Sequence, residues 1–200
     1  MADLQIPIMD KTVEKVFEDG LKERRLVLNE TIDESTLERF TMQIMKYNKE
    51  DMGLPKEARK PIILYINSNG GEIDNGLCLI DVIKQSKTPV YGVVMSYAYS
   101  MGGIILVACH KRIAFKHTTV LIHDGSGGAY GSTGKVKDQI KFLEKLDSAV
   151  KTIVVENTKI TSEKYDEMYD REWYIVGDEL KEYGIIDCVV GEDISLDEVL

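Results

Sequence analysis

Ser100 stands where an apolar run, Val90 to Met95, and a tight turn, Ser96-Tyr97-Ala98-Tyr99, feed a helix that is apolar all round. A hydroxyl at a helix N-terminus has the free N–H groups of the first turn beside it and the positive end of the macrodipole behind it. Both stabilise a developing oxyanion. Met101-Gly102-Gly103 follows, and glycines let main chain approach a substrate with no Cβ in the way. The G-x-S-x-G form of a nucleophile elbow is incomplete, because Ala98 holds the first glycine position. Taken alone, the same serine reads first as an N-cap, and its company is what lifts the catalytic reading. His123 closes a second strand, Val120-Leu121-Ile122-His123, just before a Gly-rich loop. An imidazole placed there can face a cleft as general base, although a structural histidine carries the same signature. Asn67-Ser68-Asn69-Gly70-Gly71 closes a third strand and is either a plain turn or a source of N–H groups for that cleft. Three strand-end features of this kind converge at the carboxyl edge of an α/β sheet, where such folds put their sites.

Competing chemistries fail on spacing. A phosphate loop of the Walker type needs G-x-x-x-x-G-K-[ST], but around Gly134-Lys135 the first glycine position is Ala129 and the hydroxyl position is Val136. Gly125 and Gly127 begin a dinucleotide fingerprint that Tyr130 breaks. His110, His117 and His123 lie seven and six apart with no carboxylate or cysteine at ligand spacing, so no metal and no cofactor is expected. Lys+Arg 25 against Asp+Glu 34 gives a net charge of −9. A chain this acidic is repelled by phosphate, which makes nucleic acid and anionic membrane poor partners. Cys78, Cys109 and Cys188 are odd in number and set in apolar runs; they read as buried, reduced thiols of a reducing compartment. No basic n-region with an apolar h-region opens the chain and no apolar run nears 18 residues, so a soluble cytoplasmic protein is expected.

The elements that must hold these residues are legible as alternating strands and helices. Two hundred residues, 44% hydrophobic and 30% charged, suit one α/β domain. Residues 1–22 are weakly periodic and read as an N-terminal arm, with one domain over 23–200. A strand is predicted at Arg25–Asn29. A helix follows, opened by Asp33 or by a Ser35/Glu38 capping box and carrying Leu37, Phe40, Ile44 and Met45. Lys49–Pro61 reads as a surface loop and Ile62–Ile66 as a buried parallel strand. A helix then carries Ile73, Leu77, Ile80 and Ile83 on one face, and residues 100–109 form a helix buried on every side. Strands are predicted at 111–115 and 119–123, and a loop with five glycines spans 125–134. Val136, Ile140, Leu143, Leu146, Val150 and Ile153 then fall at spacings of four, three, three, four and three. A helix over 135–157 is about 35 Å long. One small domain does not need that length, so its far end is expected to pack on another subunit. The tail reads as helix 162–169, an aromatic stretch at 173–175, helix 178–183 and strand 185–190.

At these residues the sequence resembles the ClpP family of ATP-dependent serine peptidases. The matching stretches are Leu64-Tyr-Ile-Asn-Ser-Asn-Gly-Gly71, Tyr99-Ser-Met-Gly102, Leu121-Ile-His123 with Gly127-Gly128, and Glu182-Tyr-Gly-Ile-Ile-Asp187. Their order and separations agree from about Lys22 to Val190. The resemblance implies a ClpP/crotonase-like spiral of ββα units with a protruding handle over about 124–157, and an axial loop before residue 23. It makes Ser100 the nucleophile, His123 the general base, and the N–H groups of Gly71 and Met101 the oxyanion hole. The family's third residue is the second aspartate of an Asp-Arg-Asp stretch. Here that stretch is Asp170-Arg171-Glu172, so Glu172 takes the role with Asp170 as the alternative. Both are expected on one side of an extended segment. Asn69 in place of proline, Tyr99 in place of a small residue, Asp124-Gly125 in place of Gln-Pro and a longer 49–61 loop are further departures. The resemblance also implies two stacked seven-subunit rings, unfolded polypeptides as substrates and a Clp-class AAA+ ATPase as partner.

Other functions fit parts of the pattern. A catalytically silent scaffold subunit would account for the altered acid and Tyr99, but Ser100 and His123 both remain. A phage-type head-maturation peptidase shares the fold. A crotonase-like acyl-CoA enzyme would use Gly71 and leave Ser100 and His123 without roles.

Overall fold

The computed structural model describes residues 11–125 and 127–200. In chain order the elements are α1 (Lys11–Lys22), β1 (Arg25–Leu28), α2 (Met42–Glu50), β2 (Ile62–Ser68), α3 (Ile73–Gln85), β3 (Val90–Tyr99) and α4 (Met101–Ala108). Then come β4 (Lys111–Ala114), β5 (Thr119–Ile122), α5 (Thr133–Asn157), α6 (Ser162–Glu167), β6 (Trp173–Val176), α7 (Glu179–Glu182) and β7 (Cys188–Val189). A π-helical turn, Leu37–Thr41, runs directly into α2.

β2 buries every second residue, Ile62, Leu64, Ile66 and Ser68, the pattern of a strand with one face wholly inside. It lies parallel to β1 on one side and to β3 on the other. Parallel neighbours require crossovers, and α2 and α3 supply them. β3 is long enough to serve two partners on its other edge. Tyr91–Val94 pairs with β4, and Tyr97–Tyr99 pairs with β5. The β2–β3 register shifts between Ile66 and Ser68, alongside this fork. β4 continues the main sheet to β7, whereas β5 carries β6 as an antiparallel partner. The α/β class with a parallel sheet is therefore as expected. α4 is buried over all eight residues and packs into the largest core cluster with β2, β3 and α3.

The structure departs from the sequence reading at several points. Lys11–Lys22 is a helix, not a loop; the rest of the expected arm, residues 1–10, lies outside the described residues. No turn interrupts 96–99, because β3 runs on to Tyr99. The Ser35/Glu38 capping box does not form. Asp33 Oδ1 instead accepts from the Ser35 N–H at 2.8 Å, and Thr36 Oγ1 accepts from the Asp33 N–H at 3.1 Å. α2 extends into the expected 49–61 loop, and Asp51 at its end is 3% exposed. Arg24 donates to both of its carboxylate oxygens at 2.6 and 2.7 Å, and Thr88 Oγ1 donates at 2.7 Å. Cys109 is buried, but Cys78 is exposed and Cys188 only partly covered. β7 is two residues long, and α6 stops at Glu167.

α5 has 25 residues, about 37 Å. Only Val150, Ile153 and Val154 near its C-terminal end are buried, whereas Ile140 and Phe142 are exposed. Most of the helix thus projects from the domain, a handle in the sense the resemblance implied.

Candidate active site

β3 and α4 are joined by a single residue, Ser100, with φ 52° and ψ −127°. A positive φ is uncommon for any residue with a side chain, and this pair of angles is the one glycine takes at the first central position of a type II′ turn. The conformation is over-determined by its neighbours. The Ser100 N–H donates to the Leu121 carbonyl at 2.9 Å, and its own carbonyl accepts from the N–H groups of Gly103 and Ile104. The strand therefore stops and the helix starts within one residue, which leaves the hydroxyl at the sheet's carboxyl edge.

The Gly70-Gly71 turn abuts this elbow. A Cβ on Gly70 would lie 2.7 Å from both Ser100 Cβ and the Tyr99 carbonyl oxygen. A Cβ on Gly71 would lie 2.1 Å from the Ile32 carbonyl oxygen, because Ile32 bridges the turn on its other side. Both glycines have positive φ, 93° and 152°. The turn can thus pass between Ile32 and Ser100 only without side chains. Among the described residues the N–H groups of Gly71 and Met101 donate to no protein acceptor.

His123 lies one residue beyond β5. The β5–β6 ladder pairs Ile122 with Trp173, so the next pair outward sets His123 opposite Glu172. His123 Nδ1 and Glu172 Oε1 are 3.0 Å apart. Asp170 is placed differently from expectation. The segment before β6 is not extended, since Asp170 has φ 61° at the end of the turn after α6. Among the described residues it makes no hydrogen bond to His123.

Ser100, Met101 and His123 line one narrow cavity, together with Ile73, Ile104 and Val150. Asp124, Gly125, Asp147, Tyr165 and Tyr169 complete its wall. No hydrogen bond joins Ser100 Oγ to His123 among the described residues; such bonds are often long before substrate binds. Burial, and secondarily the charge of Asp124, raises the Asp147 carboxyl above its ordinary range. Tyr165 is pushed up to about 12, first by burial and then by Asp147 and Asp124. Sequence reasoning passed over Asp147, Tyr165 and Tyr169. The signal was present: Asp147 lies three and seven residues before the buried Val150 and Val154, on the inward face of α5. A larger open groove lined by Met42, Met45, Met52 and Val82 shares no residue with this cavity.

A parallel-sheet α/β domain with a serine at a strand-to-helix elbow and a long projecting helix has the ClpP-type architecture. The family model for Clp protease matches residues 9–193. The chain is also 32% identical over 181 residues to the ATP-dependent Clp protease proteolytic subunit 1 of Streptomyces avermitilis, an alignment that covers 90% of this chain and 79% of that protein. The chain belongs to the Clp protease family.

Proposed function

We propose that this chain is a ClpP-type serine endopeptidase acting through Ser100, His123 and Glu172. Ser100 Oγ attacks the scissile carbonyl, and His123 Nε2 takes the hydroxyl proton and later gives it to the leaving amine. The Glu172 carboxylate accepts from His123 Nδ1–H, which leaves Nε2 as the proton acceptor and steadies the imidazolium once it forms. The N–H groups of Gly71 and Met101 receive the oxyanion, supported by the N-terminus of α4. The observation that carries this reading is the 3.0 Å approach of Glu172 to His123 Nδ1 beside a cavity that Ser100 and His123 share. Asp170, held in its turn, is assigned no catalytic role.

The same reading gives unfolded polypeptides as substrates, two stacked seven-subunit rings built through α5, and a Clp-class ATPase that delivers the chains. The exposed apolar residues of α5 and the ATP-dependent description of the Streptomyces relative support it. No helix among the described residues is long and apolar enough to cross a membrane, and we place the particle in the cytoplasm. Reaction with a fluorophosphonate, read by intact mass, tests the chemistry. One adduct per chain, absent in Ser100→Ala, is expected. No adduct and no peptide hydrolysis by the assembled protein would instead make it a silent subunit.

A further inference from the structure

β2 ends on Ser68, which is 1% exposed, and its hydroxyl bonds in two directions. Ser68 Oγ donates to the Glu30 carbonyl at 2.6 Å and accepts from the Gly70 N–H at 3.1 Å. It thereby ties the Gly70-Gly71 turn to the segment that follows β1. Ile32, fully buried on that segment, completes the tie with its main chain. Its N–H donates to the Gly70 carbonyl at 2.9 Å, and its carbonyl accepts from the Glu72 N–H at 2.8 Å. The Gly70 carbonyl and the Gly71 N–H belong to one planar trans peptide and point opposite ways. Anchoring that carbonyl on Ile32 therefore turns the Gly71 N–H away from Ile32, to the side where Ser100 abuts the turn. Of the three successive N–H groups from Gly70 to Glu72, that of Gly71 alone has no protein acceptor among the described residues.

The first turn of α4 rests on the same serine. A Cβ on Gly102 would lie 3.1 Å from the Ser68 carbonyl oxygen and 3.4 Å from Ser68 Cβ. Ser68 thus stands against both elements that carry the free N–H groups of Gly71 and Met101. Resting on the peptidase reading above, we propose that Ser68 is a positioning residue, whose hydroxyl holds the Gly70-Gly71 turn so that the Gly71 N–H meets the developing oxyanion. It bonds to no reacting atom itself. When Ser100 Oγ bonds to the scissile carbon, the carbonyl electron pair moves onto oxygen, and a donor stabilises that charge only where it is already aimed. Without the hydroxyl, the Gly70 N–H and the Glu30 carbonyl each lose a partner, and the turn is free to rotate to recover one. The substrate's ground state makes little demand on that donor, so the loss falls on kcat rather than on KM.

The test compares the full-length parent protein with Ser68→Ala and Ser68→Thr. Peptide hydrolysis by Ser68→Ala should show kcat reduced about 10–10²-fold with KM within about twofold of the parent. Ser68→Thr, which keeps the hydroxyl, should recover most of that loss. The acid limb of kcat/KM against pH, which reports the free enzyme's base, should stay where it is. The decisive readout uses a peptide trifluoromethyl ketone, whose hemiketal with Ser100 sets an ionisable oxygen in the place of the oxyanion. The pKa of that hemiketal, followed by fluorine NMR, should rise by about 1 to 2 pH units in Ser68→Ala, matching the fall in kcat. A fall in kcat with an unchanged hemiketal pKa makes Ser68 a structural residue only and overturns the proposal, as does full activity in Ser68→Ala. Should Ser68→Ala fail to fold, Ser68→Cys offers a weaker acceptor and should show the same rise in smaller measure; a parent-like hemiketal there overturns the proposal too. A parent protein that hydrolyses no peptide and forms no hemiketal overturns the peptidase reading, and this one with it.

Discussion

Glu172 meets His123 because the β5–β6 ladder carries one pair beyond Ile122 and Trp173. That dependence on register separates the two acids experimentally. Glu172→Gln is expected to lower peptide turnover by roughly 10⁴-fold, the loss seen when a triad's orienting acid becomes an amide, with native mass unchanged. Asp170→Asn should be mild. The reverse order in steady-state kinetics would hand the role to Asp170, and indifference to both with an inert Ser100→Ala would leave a Ser–His dyad. Ser100 and His123 were legible in the sequence because each ends a strand beside glycines, a local signal. The choice of acid was not, since it turns on cross-strand pairing and on the positive φ of Asp170, neither of which a run of three charged residues reveals. Asp147 was harder still. It reaches the cavity from a helix whose inward face is defined only once Val150 and Val154 are seen in the core.

Elements were most legible where burial is total. The Ile62–Ile66 strand and the all-apolar helix after Ser100 stand where their composition put them. α4 has no solvent face, so Leu106→Ala should cost roughly 2–5 kcal/mol by the usual cavity penalty, measurable by chemical denaturation. α1 escaped notice because its apolar positions, among them Val16, Phe17 and Leu21, remain substantially exposed; its end is held partly by Tyr47, whose hydroxyl donates to the Leu21 carbonyl at 2.7 Å. The expected 49–61 loop also concealed an anchor. The Arg24 guanidinium holds the Asp51 carboxyl below its ordinary range against the opposing effect of burial, with Thr88 adding a hydrogen bond. A carboxyl lowered by folding stabilises the fold above its unfolded value near 3.9 and loses that contribution as pH falls through its folded value. Asp51→Asn should therefore lower the melting temperature by several degrees at pH 7, and the gap from the parent protein should close as the medium is acidified below about pH 4.

Across the whole molecule, α5 divides into a part that builds the domain and a part that leaves it. Val150 and Ile153 were expected to lie between subunits along with the rest of the stripe. They are instead buried within the chain's own core, at 8% and 9% exposure, because the last turns of α5 pack on α4. The two halves should respond differently to one insult. Val150→Asp places a carboxylate at a buried position beside Asp124 and Asp147 and should destabilise the domain by several kcal/mol. Ile140→Asp and Phe142→Asp fall on exposed positions. They should leave far-ultraviolet circular dichroism intact while native mass spectrometry shows the multi-subunit particle reduced to smaller species. A parent protein that is monomeric at micromolar concentration would remove the assembly reading altogether.

The elbow holds its serine like a bent spring. A residue with a Cβ kept at φ 52° and ψ −127° costs on the order of 1–3 kcal/mol, and glycine alone is free of that penalty. Ser100→Gly should therefore melt higher than Ser100→Ala by roughly 2–12 °C, although both lack the hydroxyl and both should be inert. Their difference in scanning calorimetry measures the tension that the fold keeps wound at one residue, and equal melting temperatures would mean the spring is slack.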